Sequence, residues 1–249
     1  MINEIDDAID GVGELLNLGE SQESKRPYYD EETKGKEPLP ARIISIALHP
    51  LLMALYAVCL LFLYTDFRFL FAGQFTRFFI PILLLSCVVP LTCIYLMKRM
   101  GLISDYDMTK KNERFVPFLA TFLSYSILVY FFYLSGMYIW FLSVLAAPLI
   151  LLIIGAIVTF YWKISTHMMG IGGLLGCIMS VSYNIKGLNL SFLFIILFIL
   201  AGCLGVARLV LKRHTPAQVY VGFLVGLIVS YLCVLIGGYW GVIVFLKSI

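Results

Sequence analysis

Between Ile43 and Leu246 the chain consists of long apolar runs separated by short polar breaks. A helix crossing the hydrocarbon core of a bilayer needs about 20 predominantly apolar residues. Runs near that length cover Ile43–Tyr64, Phe78–Met97, Phe115–Leu134, Tyr138–Trp162, His167–Tyr183, Leu190–Leu211 and Pro216–Leu246. The fifth is short and rich in glycine. Strands of a membrane barrel would alternate apolar and polar positions over segments of about ten residues. These runs are continuous, so the pattern predicts an all-α, polytopic helical bundle with about six to seven transmembrane helices. Pro81, Pro90 and Pro148 fall inside spans, where membrane helices tolerate proline. Gly172 and Gly176, like Gly222 and Gly226, form GxxxG spacings, which predict close helix packing and nothing more.

Residues 1–40 break the pattern. They hold most of the acids, from Glu4 to Glu37. Ile5, Ile9, Val12 and Leu16 fit one face of a short amphipathic helix over Ile5–Leu18, and Ser21–Pro40 reads as a flexible polar linker. No basic region precedes an apolar one, so the start does not read as a signal peptide. The expected organisation is a solvated acidic tail, 1–40, and a membrane domain, 41–249. A tail that docks a partner is the alternative.

Composition narrows the class. Apolar residues make up 61% and charged residues 13%, with a mean hydropathy of +0.95. Soluble domains are closer to half apolar and a quarter charged. A soluble enzyme, a disordered chain and a disulfide-framed module are thereby excluded. The net charge of +3, without a basic stripe interleaved with aromatics, does not point to nucleic acid. The expected surroundings are the lipid bilayer. Cys59, Cys87, Cys93, Cys177, Cys203 and Cys233 all lie in apolar runs with no CxxC, and read as small packing residues. Asp105, Asp107 and Glu113 are far in sequence from any histidine, so neither a metal nor a cofactor is expected. The Phe and Tyr stripes read as lipid-facing positions or an interfacial belt.

The connections carry the chemistry. The break after the second run holds Lys98, Arg99, Lys110, Lys111, Glu113 and Arg114. The break after the fourth holds Lys163 and Ser165 and leads to His167, and the sixth run and its break hold Arg208, Lys212, Arg213 and His214. All three follow even-numbered passages, so they share the membrane face of the N-terminal tail. The other face has Arg68, Arg77, Lys186 and Lys247 and no histidine. The excess of basic residues predicts a cytoplasmic motif face. His49, before a proline in the first run, reads as structural.

Thr215-Pro216 is a helix start, with Thr as N-cap and Pro at the first position. Ser165-Thr166 can cap the fifth helix and put His167 in its first turn. Helix N-termini favour anions, and the guanidinium fork of Arg114 or Arg208 suits phosphate. Of two histidines beside a phosphate, one can attack phosphorus and the other can protonate the leaving alcohol.

These residues resemble the type 2 phosphatidic acid phosphatase family, related to the vanadium haloperoxidases. Ala207-Arg208-x5-His214-x3-Gln218 is similar to its third motif, Ser-Arg-x5-His-x3-Asp. Ile164-Ser165-Thr166-His167 is similar to its second, Pro-Ser-Gly-His. Arg114, followed by Pro117, is similar to the end of its first, Lys-x6-Arg-Pro. Together with His49-Pro50-Leu51-Leu52-Met53 and His214-Thr215-Pro216-Ala217-Gln218, the chain looks like a divergent bacterial branch, placed in the inner membrane. The resemblance implies a metal-independent hydrolase of lipid phosphates or isoprenyl diphosphates. In it His214 would be the nucleophile, His167 the general acid and Gln218 the group that orients His214. Arg208, Arg114 and Ser165 would hold the phosphoryl oxygens. The first-motif lysine position is Asp107, for which Lys110 or Lys111 would substitute. The orienting Asp is Gln218, which accepts a hydrogen bond but carries no charge. An inactive relative that binds phospholipid, or a membrane scaffold, is the alternative. A transporter would need ionisable residues near mid-membrane, a prenyltransferase would need paired Asp-rich motifs, and a zinc protease would need HExxH; none is present.

Overall fold

The computed structural model describes residues 38–104, 115–186 and 189–247. The chain divides into Met1–Pro38 and a compact unit, Leu39–Ile249. The acidic tail up to Glu37 lies outside the described residues. So do Asp105, Asp107, Lys110, Lys111, Glu113 and Arg114, and with them the expected first motif.

The described chain is helical, with no strand among the described residues. The first span joins α1 (Leu39–Ala47) to α2 (Met53–Tyr64) through a 3-10 turn at Pro50–Leu52. A short helix, α3 (Phe67–Leu70), follows. The second span joins α4 (Phe75–Ile82) to α5 (Val89–Arg99) through a π turn at Leu83–Val88. The third and fourth are α6 (Phe115–Leu134) and α7 (Ile139–Tyr161). The fifth is α8 (Thr166–Ser180), ending in a π turn at Val181–Lys186. The last two are α9 (Ser191–Val210) and α10 (Pro216–Lys247). Among the described residues seven helices are thus long and apolar enough to cross a membrane, which makes this a multi-pass membrane protein. The first begins at Leu39, two residues inside the stretch read as tail. Pro40 is no obstacle there, because the first turn of a helix has no partner for its N–H.

Glycine decides what lies at the centre. In the fifth span, Thr166–Lys186, 72% of the most apolar stretch is buried, where no other span exceeds 44%. A Cβ at Gly172 or Gly176 would run into the carbonyl oxygens of Phe223 or Leu227 on α10, and one at Gly226 into that of Met169 on α8. A Cβ at Gly222 would come within 2.8 Å of the Ser165 carbonyl. The two GxxxG runs therefore face each other and bring the backbones of α8 and α10 into contact, as small residues allow in membrane helices.

Prolines are accommodated locally. In the π register the N–H of residue 90 would serve the carbonyl of Leu85, but Pro90 has none. The hydroxyl of Ser124 on α6 donates to that carbonyl instead.

At the end of the bundle away from the N-terminal side, Phe62, Phe67, Phe78, Phe132 and Phe141 are buried together. Phe67 stacks on Phe141 with centroids 5.3 Å apart, and Phe78 stacks on Phe132 at 5.5 Å. These rings depart from the lipid-facing or interfacial positions expected of the Phe and Tyr stripes, which Phe75, Phe131 and Phe160 keep. Ring pairs between helices gain close van der Waals packing and offset or edge-to-face attraction. Phe69 and Phe192 do face outward.

Candidate functional site

The polar residues converge at the opposite end, where α1, the α7–α8 link and the α9–α10 turn meet. Two backbone motifs build that turn. The N–H of Lys212 donates to the carbonyl of Leu209 at 2.9 Å and that of Arg213 to Arg208 at 3.1 Å. This is a Schellman ending for α9. It places Lys212 at φ 52, a left-handed conformation that is strained for a residue with a Cβ. The chain then starts α10 with a capping box over Thr215-Pro216-Ala217-Gln218. The Gln218 carbonyl oxygen Oε1 accepts from the N–H of Thr215 at 3.1 Å, and the Gln218 N–H reaches the Thr215 hydroxyl at 3.5 Å. Reversal within so few residues brings Arg208 and His214 to one place.

His214 and Gln218 are both buried, with Nδ1 of His214 3.1 Å from Oε1 of Gln218. The tautomer follows from the cap. The Thr215 N–H can only donate, so the amide atom facing it is the oxygen. The same oxygen faces His214, so in the neutral ring Nδ1 carries the proton and Nε2 the lone pair. Gln218 therefore has two duties, capping α10 and orienting His214, and the capping duty was not part of the sequence reading.

Arg208 is buried and donates from Nη1 to the hydroxyl of Ser45 on α1 at 2.8 Å. Ala41 of α1 packs on Ala207 and Leu211, which seats Ser45 against the end of α9. Ser165 precedes α8, but its hydroxyl makes no capping bond. It is fully buried and finds no hydrogen-bond partner among the described residues. Its backbone N–H reaches the Gln218 carbonyl at 3.4 Å. His167, in the first turn of α8, has Arg208, His49 and His214 as electrostatic neighbours. His49 meets it edge to face, with ring centroids 5.1 Å apart.

The structure thus brings together His214, His167, Gln218, Arg208 and Ser165. Arg114, Lys110 and Lys111 lie outside the described residues. Two residues of this cluster, Ser45 and His49, were not among the expected site residues. Their signal was a polar pair at i and i+4, one face of a helix, in an otherwise apolar run. All three histidines of the chain gather here, around a buried guanidinium and a buried hydroxyl without a partner. Such a set can present a nucleophilic nitrogen, donate to an anion and supply a proton. No group of three or more His, Cys, Asp or Glu suited to a metal ion occurs among the described residues. No family model, curated protein or solved structure matches the chain.

Proposed function

We propose that this protein is a membrane phosphatase acting on a lipid phosphate or isoprenyl diphosphate through a phosphohistidine. The observation that carries the proposal is the His214–Gln218–Thr215 relay. Gln218 Oε1 faces both Nδ1 of His214 and the N–H of Thr215, which supports a ring held by Nδ1–H with Nε2 as the nucleophile. In the first step Nε2 bonds to phosphorus as the bond from phosphorus to the lipid oxygen breaks. His167 gives its proton to that oxygen, and the alcohol (or, from a diphosphate, the lipid monophosphate) departs. In the second step His167 takes a proton from water, the oxygen attacks phosphorus, and phosphate leaves Nε2. Arg208 and the Ser165 hydroxyl would hold the phosphoryl oxygens, since charge-assisted and buried donors bind them best. The basic face, by the positive-inside bias, is proposed to be cytoplasmic, in a bacterial inner membrane.

The test is phosphate release by purified protein in detergent from phosphatidic acid, phosphatidylglycerophosphate, an isoprenyl diphosphate and a phosphorylated glycolipid. Release from at least one, inhibited by vanadate as a mimic of the five-coordinate phosphorus, is the expected result. No release from any of them by folded protein would favour the second reading, a phospholipid-binding relative or scaffold. That reading is favoured by Gln218, which lacks the charge to stabilise an imidazolium.

Gln218 provides a second prediction. Glutamate has the reach of glutamine and is a natural capping-box partner at this position, so Gln218→Glu preserves the α10 cap. It also places a full charge against Nδ1–H of His214. Turnover should rise by at least about tenfold, on the scale by which an orienting carboxylate matters to a histidine in serine proteases. A variant as slow as the parent would show that charge on this group does not limit the reaction. Gln218→Asp, one methylene shorter, should gain less because it strains the bond to the Thr215 N–H.

A further inference from the structure

The first span enters the site through one narrow face. Of the nine residues of α1, Ala41 and Ser45 are the buried ones, at i and i+4 on one side of the helix. Leu39, Ile43 and Ile46 are exposed. Ala41 packs on Ala207 and Leu211 of α9, where two alanines let the helices come close. One turn on from Ala41, Ser45 meets Arg208, the residue after Ala207. Nη1 of Arg208 donates to its hydroxyl at 2.8 Å.

This hydroxyl is used differently from several others in the bundle. Those of Thr121, Ser126 and Thr159 donate to the carbonyl four residues earlier in their own helix, a local way to satisfy a hydroxyl away from water. Ser45 instead accepts from a guanidinium 163 residues away along the chain. Both residues are buried, so water competes little for the bond. An arginine side chain is long and rich in rotamers, but its guanidinium is a rigid plane. One N–H committed to Ser45 therefore sets the direction of the whole fork. The acceptor is also neutral. A carboxylate in its place would pair with Arg208 and cancel the charge that an anion needs. A hydroxyl holds the fork and leaves the charge.

We infer that Ser45 is a positioning residue for Arg208: a neutral acceptor on the first span that fixes the guanidinium plane and keeps its charge for the phosphoryl oxygens. Ser45 acts through Arg208 and not on the substrate. The inference rests on the proposed role of Arg208 toward phosphate.

Guanidinium NMR and kinetics test this together. In 15N-arginine protein in detergent, Arg208→Lys identifies the Arg208 signals. The expected result is slow rotation about the Cζ–Nη1 bond in the parent and faster rotation in Ser45→Ala. Alanine is the better helix former, so α1 keeps its fold in that variant. Its kcat on a lipid phosphate should fall at least about tenfold with KM within about twofold, because a fixed fork matters most where charge develops on the phosphoryl group. Inhibition by vanadate should weaken by the same factor. Ser45→Thr restores the hydroxyl and should recover most of the loss. Ser45→Asp should keep the rotation slow yet lower turnover at least about a hundredfold, the scale for losing a donor to a developing anion.

Rotation at Nη1 as fast in the parent as in Ser45→Ala overturns the inference, whatever the kinetics. An unchanged kcat in Ser45→Ala, or a Ser45→Asp protein as active as the parent, overturns it as well. A parent protein that neither releases phosphate nor binds vanadate overturns the phosphatase reading instead, and the rotation measurement then decides the hold of Ser45 on Arg208 by itself.

Discussion

Replacing His214 by alanine should lower phosphate release by at least about 10⁴-fold, as the loss of a nucleophile does in enzymes with a covalent intermediate. The fold should survive. Gln218 would still accept from the N–H of Thr215 at 3.1 Å, so the cap of α10 does not depend on the imidazole. Gln218→Ala is the complementary change, removing the cap as well and costing about 1 kcal/mol of stability. The two variants separate chemistry from architecture. Phosphate release and a thermal melt in the same detergent measure both. Acid-labile, base-stable labelling from a 32P-phosphorylated lipid should appear in the parent protein and disappear in His214→Ala. A His214→Ala protein that keeps its activity would remove His214 as the nucleophile.

The second large effect is structural. Gly226→Leu should prevent α8 and α10 from closing, at a cost of about 3 kcal/mol or more, the upper range for overpacked interiors. The Cβ alone meets the carbonyl oxygen of Met169, and backbone cannot move aside as a side chain can. Met169 lies in the same helix as His167, so separation of the two helices also pulls apart Ser165, His167 and Gln218. Gly202→Ala on α9 is the matched control: nothing lies within 4 Å of its Cβ. Alanine in an outward-facing helix position should be neutral or slightly stabilising. Unfolding in detergent measures both changes. Equal stability of Gly226→Leu and the parent would show that the paired glycines do not set the crossing.

Much of this architecture is legible in the chain. Apolar length alone places seven spans near their observed ends, because a helix is the one open segment that satisfies its own backbone in lipid. Counting passages puts Arg208, His167 and His214 on one face with no knowledge of packing. The Arg208-x5-His214 spacing works because a Schellman ending and a capping box reverse the chain within it, and Thr215-Pro216 with Gln218 already spells the second of these.

Other features were hidden, each for a reason of long range. The burial of Phe67, Phe78 and Phe141 depends on how α3 meets α4 and α7, a contact between segments far apart along the chain. The double use of Gln218 is visible only when His214 is seen beside the cap. Ser45 and His49 are far along the chain from Arg208 and His167, and the docking of α1 on α9 and of Pro50 against Gly170 of α8 brings them into the site. By itself, then, the sequence determined the membrane class, the spans, the helix ends and the face on which the chemistry gathers, since these follow from local hydropathy and local backbone bonding. The tertiary structure decided which residues touch: the α8–α10 contact through glycine, and a broken first span that supplies Ser45 and His49. Those contacts join positions far apart along the chain, and side-chain fit between helices, not hydropathy along one of them, selects them.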